Sequence, residues 1–154
     1  MASWAEFADA DPELSEFGHA RIHNYGQALA FFATVRHDDD GPRVHPVCPI
    51  FADGRVYVSI PRRSPKSRDL QRNPRYMLHS FPDREDPEFS MRGTARLVDD
   101  PIERKVVADA ATFATGVRDD EDVFALDIER ADSTTWANWA QADTYPVRRK
   151  WAAS

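Results

Sequence analysis

The chain has 154 residues, 42% hydrophobic, 30% charged and 11% aromatic, which suits one domain with a core of its own. Its net charge of −6 argues against general nucleic-acid binding, and no apolar run approaches the roughly 20 residues that cross a bilayer. One cysteine, Cys48, can make neither an internal disulfide nor a Cys-based zinc site, and Glu6 and Asp9 stand where a leader would be basic then apolar. The expectation is a single cytoplasmic domain over residues 1–154, with no nucleic-acid or membrane partner.

Asp11-Pro12 reads as an N-cap followed by proline at the first helical position, where a missing N–H costs nothing. Leu14, Phe17 and Ala20 then recur at helical spacing up to a stop at Gly26, and Trp4 and Phe7 predict a preceding turn packed nearby. From Gln27 to Val35 both alternating faces are apolar, which predicts a strand in a barrel or covered sheet. His37 to Pro42 reads as a hairpin turn. Arg43 to Phe51 is the next strand, with Pro46 and Pro49 marking an edge or a bulge. After a turn at Asp53-Gly54, Val56 to Ile60 is a strand expected to neighbour the Arg43 strand.

Ser64-Pro65 predicts a short helix to about Arg72, and Tyr76 to Phe81 a strand followed by an acidic loop from Pro82 to Pro87. Phe89 to Leu97 alternates with a clear period of two. Asp100-Pro101-Ile102-Glu103 reads as a capping box, starting a helix with Ile102, Val106, Ala110 and Phe113 on one face. Asp119 to Asp122 reads as a solvated acidic turn, Val123 to Ile128 as a strand, and Thr134 to Trp139 as the last strand. The single crossover, Ser64 to Asn73, is too short for a series of βαβ units. A doubly wound nucleotide-binding sheet is therefore excluded, and a mainly β fold is expected, a small barrel with helices at its openings.

The most informative segment is Pro61-Arg62-Arg63-Ser64-Pro65-Lys66. It sets a helix N-terminus directly after a strand, where unpaired backbone N–H groups carry partial positive charge. Ser64, Lys66 and the arginines add donors and full charges, a set that suits a phosphate. The competing reading is an ordinary capped helix with a solvated basic face. Arg43-Val44-His45-Pro46-Val47 is the second candidate, able to face a flat polar ligand or to be an edge strand with an exposed Arg and His. His19 and His23, four apart, have a metal-ligand spacing, but no third ligand is evident and no metal site is expected. Cys48 reads as a small core residue, and the aromatic series Trp136, Trp139, Tyr145 and Trp151 as core, dimer seam or a lid over a ring ligand, with core or seam the default.

Taken in order, Gly41 to Val47, Asp53 to Val58, Ser64 to Leu70, Asn73-Pro74-Arg75 and Phe89 to Ala95 resemble the FMN-binding split-barrel superfamily, the pyridoxamine 5′-phosphate oxidase-like proteins. The resemblance runs from about Ala28 to Val98. It implies a six-stranded antiparallel split barrel with flanking helices. It further implies a homodimer with two cofactor sites at the subunit interface. The flavin phosphate would lie near Ser64 and Lys66, with Arg43 and Arg63 adding charge. His45, Pro46, Val47, Val58 and Ser59 would flank the ring and ribityl chain, and Trp136 would approach from the partner chain.

True pyridoxamine phosphate oxidases end in an Arg-x-His segment, whereas this chain reads Tyr145 to Trp151 without that histidine. The shorter form resembles actinobacterial relatives that use FMN or the deazaflavin F420. The resemblance implies an FMN-dependent oxidoreductase acting on a small organic substrate. The alternatives are an F420-dependent reductase, a non-enzymatic flavin- or haem-binding protein with His45 or His79 as the haem ligand, and a dimeric scaffold with a degenerate site.

Overall fold

The computed structural model describes all residues, 1–154. In chain order the elements are α1 (Trp4–Ala10), α2 (Pro12–Ile22), β1 (Ala30–Val35), β2 (Pro42–Val47), β3 (Ile50–Ala52) and β4 (Arg55–Pro61). There follow α3 (Pro65–Arg72), β5 (Arg75–Ser80), β6 (Glu88–Leu97), α4 (Pro101–Ala110), β7 (Glu121–Ala137) and β8 (Tyr145–Ala152). All strand pairs are antiparallel, in the order β2-β1-β5-β6-β7-β4-β3, with β8 on β7. The mainly β class with flanking helices is as the sequence implies, but the sheet has eight strands rather than six. No helix is long and apolar enough to cross a membrane.

The prolines act where their chemistry places them. Asp11 accepts from Leu14 N at 3.1 Å and caps α2, with Pro12 as its first residue. Pro49 lies in the break between β2 and β3, dividing what reads in sequence as one strand. Pro46 is tolerated in β2 because β2 pairs only with β1 and leaves its other edge free. The expected pairing of the Arg43-to-Phe51 strand with Val56 to Ile60 holds only at its end, where β3 pairs Ile50↔Tyr57 and Phe51↔Val56; β2, which carries Arg43 and His45, pairs only with β1.

Twenty buried residues form the main core. They include Phe32 and Leu78 from β1 and β5, Phe89 and Met91 from β6, and Leu126 and Ile128 from β7. Phe7 of α1 and Leu14 and Ile22 of α2 close one side, and Leu70 of α3 joins from another. A second cluster of seven, with Tyr57, Val98, Val107 and Val123, packs under α4. That helix does not bury the expected stripe. Ile102 is 76% exposed and Val107 is fully buried. The reason is Glu103, which turns inward to Arg96 at 2.8 Å and Tyr57 at 3.1 Å, so it does not complete a capping box. Asp100 alone caps the helix, accepting from Ile102 N.

The expected strand Val123 to Ile128 and the first four residues of the expected strand Thr134 to Trp139 belong to one strand of 17 residues, β7, which ends at Ala137 with Asn138 and Trp139 in the turn; its hairpin partner β8 the sequence pattern does not reveal. On one edge β7 holds β6 throughout, from Glu88↔Thr134 to Leu97↔Phe124. On the other, β4 takes Glu121 to Leu126 and β8 takes Arg130 to Ala137. Where partners change, Arg92↔Arg130 is followed by Gly93↔Ile128, so Glu129 is an extra residue, a bulge that bends the strand. Gly93 is required there, because an added Cβ would lie 1.9 Å from the Asp127 carbonyl oxygen. The vacant edge at Ile128 is filled by Ala2, which exchanges two backbone hydrogen bonds with it at 2.8 and 2.7 Å. The presumed acidic turn is also not solvated at its end: Glu121 and Asp122 open β7 and are buried.

Candidate functional site

The site begins where β4 ends. The chain turns at Arg62-Arg63 and enters α3 with Ser64 as N-cap in extended conformation and Pro65 next. Unlike Asp11, Asp100 and Ser3, Ser64 makes no capping hydrogen bond with its side chain. Its hydroxyl and the Lys66 N–H are thus available to an outside acceptor, whereas Pro65 has no N–H and Ser67 N donates to the Ser64 carbonyl at 3.1 Å. Lys66, one residue on from Pro65, is half-buried and forms no ion pair, and burial lowers its pKa. An ammonium held in that setting gains most from an anion that enters later.

His45 on β2 faces this point. Its Nε2 is buried without a hydrogen-bond partner. Burial, followed by the nearby charges of Lys66 and Arg43, lowers its pKa, which keeps the imidazole neutral at pH 7. Val47 is buried beside the main core, and Pro46 lies exposed on the other face of β2. Arg43 is only 15% exposed and donates from Nε to Asp69 at 2.7 Å.

Asp69 is the organising residue that the sequence reading missed as such. It lies one helical turn beyond Lys66 and its side chain is fully buried. Its carboxylate accepts from Thr34 Oγ1 at 2.9 Å, His37 N at 2.9 Å, His37 Nδ1 at 2.6 Å and Arg43 Nε at 2.7 Å. Burial alone would raise its pKa, but hydrogen bonds from His37, Arg43 and Thr34 overcome that and hold it at about 2. Asp69 thereby ties α3 to β1, the following turn and β2, and fixes the start of α3 beside His45. The available signal was its i,i+3 spacing from Lys66 next to the apolar Leu70.

A second acidic pair clamps the other side of α3. Asp122 accepts from Ser67 Oγ at 2.5 Å and Arg62 Nε at 3.0 Å. Glu121 accepts from Ser59 Oγ at 2.7 Å and from Arg118 N at 3.0 Å. Arg62 and the Ser59 hydroxyl are thus engaged within the protein, whereas Arg63 is exposed and forms no ion pair. Val58 is fully buried. Beyond Tyr57, β4 has no partner on the side where β3 ends, so the Val58–Pro61 backbone keeps a free edge. Of the residues singled out in the sequence, Arg43, His45 and Lys66 share one electrostatic neighbourhood, and Ser64 and Arg63 adjoin it. Trp136 is carried elsewhere, on the arm where β7 runs beyond Thr134 and pairs only with β8. Its indole Nε1 is buried without a partner, and its ring meets Trp139 edge-on at 6.4 Å.

The outer face of β2, β1 and β5 is apolar. Val44, Ala33 and Met77 form one cross-strand row, and Pro46, Phe31 and His79 the next. Phe31, Val44 and Met77 are 36%, 57% and 42% exposed. With Phe81 and Pro82 they line a groove of about 420 Å³. His79 places Nδ1 2.7 Å from the Ser80 carbonyl oxygen, to which it donates, leaving Nε2 free.

Comparison with known proteins fits this architecture. A haem-binding protein from Mycobacterium smegmatis is 15% identical with a TM-score of 0.60, over 85% of this chain and 57% of that one. The haem storage protein HutZ from Vibrio cholerae is 19% identical with a TM-score of 0.58, over 77% and 89%. General stress protein 26 from Bacillus anthracis is 17% identical with a TM-score of 0.57, over 87% and 97%. This chain spans little more than half the length of the first and nearly all of the other two. No curated protein matches the sequence. The family model for pyridoxamine 5′-phosphate oxidase matches residues 10–135, across β1 to β6 and most of β7, and the chain belongs to that split-barrel family.

Proposed function

We propose that this chain is an FMN-dependent oxidoreductase that works on a small organic substrate as a homodimer. The observation that carries the reading is the half-buried Lys66 without an ion-pair partner, beside a helix N-terminus whose Ser64 hydroxyl is uncommitted. Those groups, with His45 Nε2 unpaired next to them, fit the phosphate and polar chain of a flavin mononucleotide. Ser64 and Lys66 would hold the phosphate, Arg43 and Arg63 would add charge, and His45 to Val47 with the free edge at Val58 and Ser59 would flank the ring. When bound, the flavin supplies hydride transfer, and the protein supplies position and exclusion of water. The deazaflavin F420 also carries phosphate and is the alternative cofactor for the same groups.

The second subunit would cover the apolar face of Phe31, Val44 and Met77, and the arm bearing Trp136 would reach the partner's ring. Haem is the second reading. It is favoured by His79, whose free Nε2 borders the apolar groove, and by the two haem-associated neighbours. It would use the groove that the dimer reading assigns to the partner.

The test is an absorbance titration of the purified protein with FMN, F420 and haem, run beside sedimentation analysis. FMN is expected to bind at one equivalent per chain, and the Arg43→Ala, Lys66→Ala double variant to bind more weakly by about 1.5–3 kcal/mol per charged hydrogen bond lost. Failure of FMN and F420 to bind overturns the flavin reading, and a Soret band lost in His79→Ala establishes the haem reading. A monomer at micromolar concentration overturns the dimer.

A further inference from the structure

The two histidines of α2 are brought together in a way their spacing alone does not require. The rings of His19 and His23 stack with centroids 4.0 Å apart and planes 25° from parallel. The edge of Phe51 meets His19 at 5.0 Å, and its ring lies 5.1 Å from His23, so β3 limits the freedom of both. His23 places Nδ1 2.9 Å from the His19 carbonyl oxygen. A carbonyl oxygen only accepts, so Nδ1 carries the proton and Nε2 keeps its lone pair. This is the arrangement that fixes the tautomer of metal-binding histidines. No protein group engages either nitrogen of His19, and it lines a cavity of about 280 Å³ with Trp4, Phe51 and Asp53.

We infer that His19 and His23 form a two-histidine site for a borderline divalent cation, Zn²⁺, Ni²⁺ or Cu²⁺, completed by water. Bonds of about 2.0–2.1 Å to a tetrahedral or octahedral ion set the two ligand nitrogens roughly 3 Å apart. With His23 held by its Nδ1 hydrogen bond, His19 swings out of the stack until its lone pair and that of His23 Nε2 converge on one ion, with no change in the helix backbone. Imidazole is the ligand that these ions share, whereas Mg²⁺ and Ca²⁺ demand oxygen. Arg55, on the same cavity wall, is paired with Asp127 at 2.8 Å. A bound ion would brace the last turn of α2. The residues there and just beyond hold the loop after β5, through Arg21 and Asn24 to Asp83 and Tyr25 to the Pro82 carbonyl.

The test is calorimetric titration of the full chain with ZnCl₂, NiCl₂ and CuCl₂ at pH 7.5, with MgCl₂ as control. Wild type is expected to take up one equivalent of the transition ions and no Mg²⁺. His19→Ala and His23→Ala should each weaken binding by about tenfold or more, because the chelate is lost, while far-UV dichroism stays unchanged. His37→Ala and His79→Ala should leave it intact. A single His19→Ala or His23→Ala variant that keeps wild-type affinity overturns the inference, as does the absence of uptake by wild type.

Discussion

Replacing Asp69 with asparagine tests whether its buried carboxylate organises the site. In the native chain four donors converge on that side chain, which is fully buried. Its pKa is held at about 2 against an ordinary 3.8. At about 1.4 kcal/mol per pH unit, that depression is worth about 2 kcal/mol at neutral pH. Asparagine also leaves the largely buried Arg43 unpaired and turns an N–H₂ toward donors, which raises the expected loss to about 3–4 kcal/mol. For a domain of this size the melting temperature should fall by roughly 6–15 °C at pH 7.

The pH profile carries a sign. A carboxylate with a depressed pKa in the folded state stabilises above 3.8 and loses its advantage as pH falls toward 2. The gap between wild type and Asp69→Asn should therefore narrow from pH 5 down and close near pH 2. Calorimetric melting of both proteins from pH 2 to 7 gives the answer. A fall of less than about 2 °C at pH 7, or a gap that persists unchanged at pH 2, refutes the reasoning.

Gly93→Ala should destabilise by about 3 kcal/mol or more in urea titration, because its Cβ meets the Asp127 backbone at 1.9 Å and backbone cannot give way as a side chain can. Ser64→Ala should cost well under the roughly 1 kcal/mol of a normal N-cap loss, since no capping bond exists to lose, yet it should weaken FMN binding in an absorbance titration. Met77→Glu, on the exposed apolar face, should leave the melting temperature of the monomer nearly unchanged but shift sedimentation from dimer to monomer.

The parts of the fold that were legible are those fixed by local chemistry. Asp11-Pro12 and Asp100-Pro101 each start a helix because cap and proline act within one turn, and Ser64-Pro65 starts one with the proline and an extended N-cap backbone alone. The alternation of Phe89 to Leu97 yields β6 because only one of its faces is buried. What escaped depends on distant partners. Arg130 and Asp132 look like loop residues, but they pair with each other across the surface of β7 while its backbone is held by β6 and β8. β8 itself is almost wholly exposed, so it has no hydrophobic period to read. Ile102 stays in solvent because Glu103 has partners, Arg96 and Tyr57, on other elements. At the site, Ser64 and Lys66 were visible from sequence. That Ser64 lacks a capping bond and Lys66 lacks a counter-ion was not, since both depend on Asp69 and Asp122 being engaged elsewhere.

The small contact between Ala2 and Ile128 has a practical consequence. Two backbone groups of Ile128, a residue with no solvent exposure, are satisfied only by the second residue of this sequence. Removing residues 1–3 would strand both, at a cost of about 1–3 kcal/mol for each. The slot they leave is a short length of unprotected strand edge at the bend of the longest strand. A deletion that takes Ala2 would therefore invite another chain to lie down in that slot.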